Sequence, residues 1–178
     1  VNPCGRLTDT IAECIEDYPC TANFGDAKRN YYKEDIYVGY RYFETFAKNK
    51  VIYPFGYGLS YTTFRFSDIT LNRSSIGMDN ELVASVTVTN TGDRAGSEVV
   101  QLYIRDLVGS VTRPVKELKG FEKIYLQPNE SRTVRFTIAP EMLKFYNADL
   151  KFVAEPGDFD VMIGPDSRNV KTARFTLH

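Results

Sequence analysis

The sequence predicts a mainly β protein: a two-layer, immunoglobulin-like β-sandwich preceded by a shorter segment with no core of its own. Three observations carry this reading. From Thr62 onward, short segments of alternating apolar and polar residues recur, parted by turn residues. Before Thr62 no sustained period of two or 3.6 runs through the first thirty or so positions. Between the two lies Tyr53-Pro-Phe-Gly-Tyr-Gly-Leu-Ser-Tyr-Thr-Thr-Phe64, dense in aromatics and broken by Pro54, Gly56 and Gly58. Ordering such a stretch is costly unless it packs against something. It reads either as a connector held between two layers or as a loop lining a ligand.

The sandwich strands follow in order. Phe64 and Phe66 open the first, and Ile69 and Leu71 continue it one position out of phase, which predicts a bulge near Asp68. Asn72 to Asn80 reads as a polar loop. Leu82, Ala84, Val86 and Val88 form an inward row, with Val83, Ser85, Thr87 and Thr89 outward; Asn90-Thr-Gly-Asp93 is a turn. Val100, Leu102 and Ile104 point inward, with Gln101, Tyr103 and Arg105 outward. Lys116 to Leu126 contributes Leu118, Phe121, Ile124 and Leu126, interrupted at Gly120. Val134, Phe136 and Ile138, then Phe152, then Phe159, Val161 and Ile163, then Ala173, Phe175 and Leu177 complete the set, with a hairpin marked by Pro156-Gly157. Roughly seven strands in about 115 residues is the size of an immunoglobulin or fibronectin type III sandwich.

In the first part, Thr8 to Glu16 supports a helical turn or two before Pro19. Asn23-Phe-Gly25 and the surrounding aromatics read as an ordered, packed loop that leans on a partner surface. Ile36 to Phe43 alternates with apolar or aromatic residues on both faces and reads as a strand buried on both sides. Arg41, among tyrosines, reads as a stacked and paired guanidinium, with substrate contact as the alternative. Ala47 to Lys50 is a polar turn.

Composition excludes several functions. The chain has 178 residues and a net charge of −1 with no basic face, so nucleic acid is not an expected partner. No apolar run approaches the roughly 20 residues that cross a bilayer, so no membrane partner is expected, and Val1-Asn-Pro-Cys lacks signal-peptide character. Cys4, Cys14 and Cys20, an odd number without a pairing pattern, lean toward unpaired thiols and a cytoplasmic, reducing compartment; a Cys14–Cys20 bridge is the alternative. His178 is the only histidine, so no Cys/His metal site and no imidazole-based nucleophile system is expected. No phosphate-cradling or calcium-loop spacing occurs, and no cofactor is called for. Asn72-Arg-Ser and Asn129-Glu-Ser are glycosylation sequons, meaningful only in a secretory pathway.

Five blocks, in order, resemble glycoside hydrolase family 3, the β-glucosidases and β-xylosidases: Asn2-Pro-Cys-Gly-Arg-Leu-Thr-Asp-Thr10, Tyr32-Lys-Glu-Asp-Ile-Tyr-Val-Gly-Tyr-Arg-Tyr42, Pro54 to Phe64, Arg113-Pro-Val-Lys-Glu-Leu-Lys-Gly-Phe121, and Glu155-Pro-Gly-Asp-Phe-Asp-Val-Met-Ile-Gly164. Cys4 stands where the family usually shows Ser, and Asp35 where it usually shows Gly. The resemblance implies that residues 1–58 finish an α/β sandwich domain and that 59–178 form a fibronectin type III-like domain.

It also implies a retaining hydrolase. That chemistry needs two carboxyl groups about 5 Å apart. In the family an Asp nucleophile comes from a TIM barrel and a Glu acid/base usually comes from the α/β sandwich, ahead of the block at Asn2. Neither motif is present. Asp9, Asp17, Glu34 and Asp35 match no catalytic position, so no catalytic residue is assigned. The chain is then expected to be the non-catalytic end or middle of a glycosidase, bracing domains whose substrate is a β-glucoside or oligosaccharide. Tyr53, Phe55, Tyr57, Tyr61 and Arg41 are the expected interdomain contacts. The alternative is a stand-alone carbohydrate-binding or adhesion sandwich.

Overall fold

The computed structural model describes residues 1–178. Its centre is a sandwich built from the alternating segments. One sheet pairs β3 (Phe64–Phe66) and β4 (Thr70–Leu71) with β6 (Leu82–Asn90), whose other edge takes β9 (Ser131–Ile138). The facing sheet has the order β5 (Ser75–Ile76), β13 (Lys171–Leu177), β12 (Gly157–Gly164), β7 (Gly96–Asp106), β8 (Glu117–Leu126). All pairs are antiparallel except β5 with β13. β3 and β4 are one strand broken by a bulge: Phe66 pairs with Val88 but Thr70 with Ser85, so one residue is gained between them.

Period-two patterning puts the expected rows in the core. Leu82, Ala84, Val86 and Val88 of β6 meet Val100, Leu102 and Ile104 of β7 and Phe159, Val161 and Ile163 of β12, within a cluster of 18 buried residues. The rings of Phe159 and Phe175 stack at 5.4 Å. At one end the fully buried Asn90 amide ties three elements. Its oxygen accepts from the Thr62 hydroxyl and the Gly92 amide, and its nitrogen donates to the carbonyls of Arg94 and Leu126.

Several expected features differ. Ser75–Ile76, inside the predicted polar loop, adds a parallel edge with Ile76 buried. Phe121 is mostly exposed, because Lys119 is an extra residue between the Leu102–Gly120 and Tyr103–Leu118 pairs and resets the phase of β8. Phe152 is exposed too. It lies in β11 (Phe152–Val153), which pairs with β10 (Phe145–Tyr146) rather than forming a hairpin across Pro156-Gly157.

In the first part, residues 8–16 form β1 (Ile11–Ala12) and a single 3-10 turn at Ile15–Asp17 instead of a helix proper. β1 pairs with β2 (Val51–Tyr53). The predicted strand over Ile36–Phe43 is not formed. Gly39, at φ +60° and ψ −129°, breaks the chain, and α1 runs over Tyr40–Phe46. A short apolar run fits either period. Here Tyr40, Phe43 and Ala47 fall on one helical stripe, and Phe43 and Ala47 join Ala12 in a small separate cluster. No helix is long and apolar enough to cross a membrane.

Replacing Asn90 by Ala removes four hydrogen bonds and leaves the buried Thr62 hydroxyl without its acceptor. We expect Asn90→Ala to lower stability by about 1–3 kcal/mol, read as a lower urea midpoint with the m-value unchanged.

Candidate functional site

The outward row of β7 does not face water. Gln101 and Tyr103 are buried, with Tyr103 fully so, because the first sixty residues fold over that face. The cover is built from the junction. Gly56 and Tyr57 exchange backbone hydrogen bonds with Leu7, at 2.8 Å each way. Gly56 has φ +82°, and any side chain on it would collide with the Gln101 amide, so glycine is required twice over. The Gln101 nitrogen donates to the carbonyls of Gly56 at 3.4 Å and Pro165 at 2.5 Å, and its oxygen accepts from the Tyr103 hydroxyl at 2.5 Å.

Helix α1 lies on the same face. The Tyr40 ring packs against Phe55 at 4.7 Å and Tyr103 at 6.0 Å, while its hydroxyl accepts from the Leu118 amide at 2.8 Å. One turn on, Glu44 is buried. It pairs with the buried Lys116 at 3.1 Å and accepts from the Ser167 hydroxyl at 2.8 Å; Lys116 also donates to the Ser167 carbonyl at 2.5 Å. Burial pushes the Lys116 ammonium below the usual lysine range, with Glu44 pulling the other way. A second enclosed pair, Arg6 with Glu98, fixes the strap that begins the chain. Asn2 adds to it, donating to the Ala95 carbonyl and accepting from the Ser60 hydroxyl and the Tyr61 amide. Arg168 donates to the carbonyls of Lys48 and Val51.

The five residues singled out in the sequence divide. Phe55 is part of the cover, and its carbonyl accepts from the Ser167 amide at 2.9 Å. Tyr53 and Tyr57 pack together at 5.0 Å and, with Pro3, Leu7, Ile11 and Leu59, line an apolar cleft of 740 Å³ on the far side. Tyr61 is exposed and held only through its backbone. Arg41 is a loose partner of Glu117 at 3.8 Å, which Arg113 holds more closely at 2.6 Å; no aromatic ring stacks on Arg41. Sequence reasoning missed Glu44, Lys116, Gln101 and Ser167. The available signal was a tyrosine in an outward row, Tyr103, which implies a second covering layer. Cys4, Cys14 and Cys20 are free thiols, and the Cys4 sulfur accepts from Lys123 at 3.1 Å.

Two measurements probe this layer. Lys116→Met leaves the Glu44 charge buried, and we expect a loss of about 3–5 kcal/mol; adding Glu44→Gln should recover much of it in the same denaturant titration. For Tyr103, burial foremost and the neighbouring Tyr40 next lift the phenol far above its ordinary range. Its folded pKa therefore exceeds the unfolded value of about 10, so its stabilising effect is complete below that pH and fades as pH rises above it. Tyr103→Phe should cost about 1 kcal/mol at neutral pH and show a shallower decline in stability across pH ~10–11.

Comparison with known proteins bears on the whole chain. Residues 98–167 match the family model of the fibronectin type III-like domain. The periplasmic β-glucosidase of Salmonella typhimurium is 47% identical over 99% of this chain, which spans 23% of that relative. The structure of a β-glucosidase from Kluyveromyces marxianus in complex with glucose superposes with a TM-score of 0.90 at 41% identity, covering 100% of this chain and 22% of that one. The GH3 β-glucosidase of Bifidobacterium adolescentis gives 0.89 at 36% identity, over 99% and 26%. The chain thus spans about a quarter or less of these relatives. Since the likeness runs from end to end and includes the covering segment as well as the sandwich, the chain belongs to glycoside hydrolase family 3, as a part that holds its fibronectin type III-like domain.

Proposed function

We propose that the chain is the non-catalytic, bracing part of a retaining β-glucoside hydrolase. Residues 1–58 finish its α/β sandwich domain, and 59–178 form the fibronectin type III-like domain. The observation that carries this reading is the two-sidedness of the first part. Its inner side is bonded to Gln101 of β7, to Lys116 just ahead of β8 and to Ser167 in the turn after β12, the last two through Glu44. Its outer side presents the apolar cleft of Leu7, Ile11, Tyr53, Tyr57 and Leu59. A two-stranded ribbon such as β1–β2 is marginal alone, and it gains stability when further strands or a helix layer join it. A segment fixed on one side and apolar on the other is suited to hold a second body against the sandwich. That body is the rest of the parent chain, carrying the carboxyl pair that retaining hydrolysis requires.

The purified 178 residues should fold and release no aryl alcohol from an aryl β-glucoside, whereas the full parent chain should turn it over; turnover by the fragment alone ends this reading. In the parent, Leu59→Asp and Tyr57→Asp place a charge in the cleft. They should lower its thermal midpoint by several degrees while leaving the melting of the isolated 178-residue chain within about 1 kcal/mol of wild type.

A further inference from the structure

Strand β7 ends on Asp106, and the loop 107–112 that follows is held by two carboxylates with unequal partners. Glu155 accepts from both the amide and the hydroxyl of Ser110, at 2.9 and 2.6 Å. Asp106 commits one oxygen to the Val108 amide at 3.1 Å. Its other oxygen, Oδ2, is shut off from solvent and has no donor. The nearby cation, Arg113, turns to Glu117 at 2.6 Å and lies over the Phe145 ring at 4.8 Å. The smallest species that satisfies an enclosed carboxylate oxygen is a proton, which converts an acceptor into a donor. An acceptor for that donor is in place. The Val111 carbonyl accepts from no group of the protein. It and Asp106 Oδ2 each lie 3.2 Å from the point where a side chain on Gly109 would begin. Two bare oxygens thus flank one point, in space that a β-carbon would crowd.

The surroundings of the carboxyl set the direction of its titration. Burial foremost raises it above the ordinary carboxylate range; the Val108 amide and Arg113 oppose this, while the charges of Glu155 and Glu117 add to it. On the neighbouring strand β12, the Asp158 carboxylate is turned to the Thr176 hydroxyl at 2.7 Å, and Asp160 lies opposite Arg105. A folded value above the unfolded one of about 3.9 means that the stabilising effect of the protonated form is complete below that pH. It is lost as pH rises through the folded value.

We propose that loop 107–112 is an acid-closed clasp: a proton on Asp106 joins its Oδ2 to the Val111 carbonyl, and loss of that proton releases the loop. The loop runs on into Arg113, Val115 and Lys116, which bind Glu117, Thr45 and Glu44. Its release therefore slackens the segment that ties the sandwich to helix α1.

The test is hydrogen–deuterium exchange on the full-length parent, read by mass on peptides covering 106–113 from about pH 4.5 to 8, with exchange times scaled for the intrinsic rate at each pH. The unsubstituted protein should lose protection over 107–112 as pH rises, by up to about tenfold per pH unit through the titration, while residues 159–163 of β12 stay constant. Asp106→Asn carries a neutral amide whose nitrogen donates where the proton did, so its loop should stay protected at every pH. Gly109→Ala sets a β-carbon between the two oxygens and should remove the protection at the acid end. A loop whose protection does not change with pH overturns the proposal, as does an Asp106→Asn loop that follows the unsubstituted profile. So does a fall over 159–163 in step with the loop, which would make the change global. Should Asp106→Asn fail to fold, the unsubstituted profile and Gly109→Ala decide: a Gly109→Ala loop as well protected in acid as the unsubstituted one overturns the clasp.

Discussion

The sheet containing β7 has two apolar or enclosed faces and therefore needs two covers. One is the second sheet of the sandwich. The other is the first sixty residues, which close over Gln101 and Tyr103. Most of the remaining architecture answers to this requirement. Gly56 is glycine because the Gln101 amide occupies the space of a side chain. Tyr40 sits where its ring meets Phe55 and Tyr103 while its hydroxyl meets the backbone of β8. Glu44 and Lys116 neutralise each other where neither reaches water freely. Buried pairs of this kind add little net stability against an apolar alternative, but they penalise any misregister severely. Their contribution here is to fix how the covering layer sits.

How much of this could be read from sequence depended on the physical origin of each feature. The core rows of β6, β7 and β12 follow from alternation, carried over Leu82–Thr89 in β6 and over the shorter stretches Val100–Arg105 and Phe159–Ile163 in the others, and the structure repeats them residue for residue. Even the bulge near Asp68 was visible, because a phase change in the pattern has no other cause in a continuing strand. Failures came where two periods fit equally. Ile36 to Phe43 is aromatic on every side, and Gly39 with its positive φ decided the matter in favour of a helix beginning at Tyr40. Phe121 and Phe152 failed because a single inserted residue or a local ribbon turned them outward.

The covering layer was legible only in part. The aromatic junction announced itself through composition, yet Phe55 serves the inner side while Tyr53 and Tyr57 serve the outer, a division that needs three dimensions. Glu44, Lys116 and Ser167 are separated by 72 and 51 positions along the chain and share no local pattern. Pairing between single polar residues so far apart leaves no periodic trace. By contrast, the family likeness rested on short blocks such as Asn2 to Thr10, which supplies two bonds that join the two layers: Asn2 to Ala95 and Arg6 to Glu98.

The Glu44–Lys116–Ser167 cluster has a consequence for recombination. A chimaera that exchanges only the sandwich between two homologues, cut in the glycine-rich junction, would bring a foreign lysine and serine beneath a resident glutamate and tyrosine. The crossover that keeps these partners together lies upstream of Tyr40. Inheritance of the sandwich as a module therefore entails inheritance of its cover.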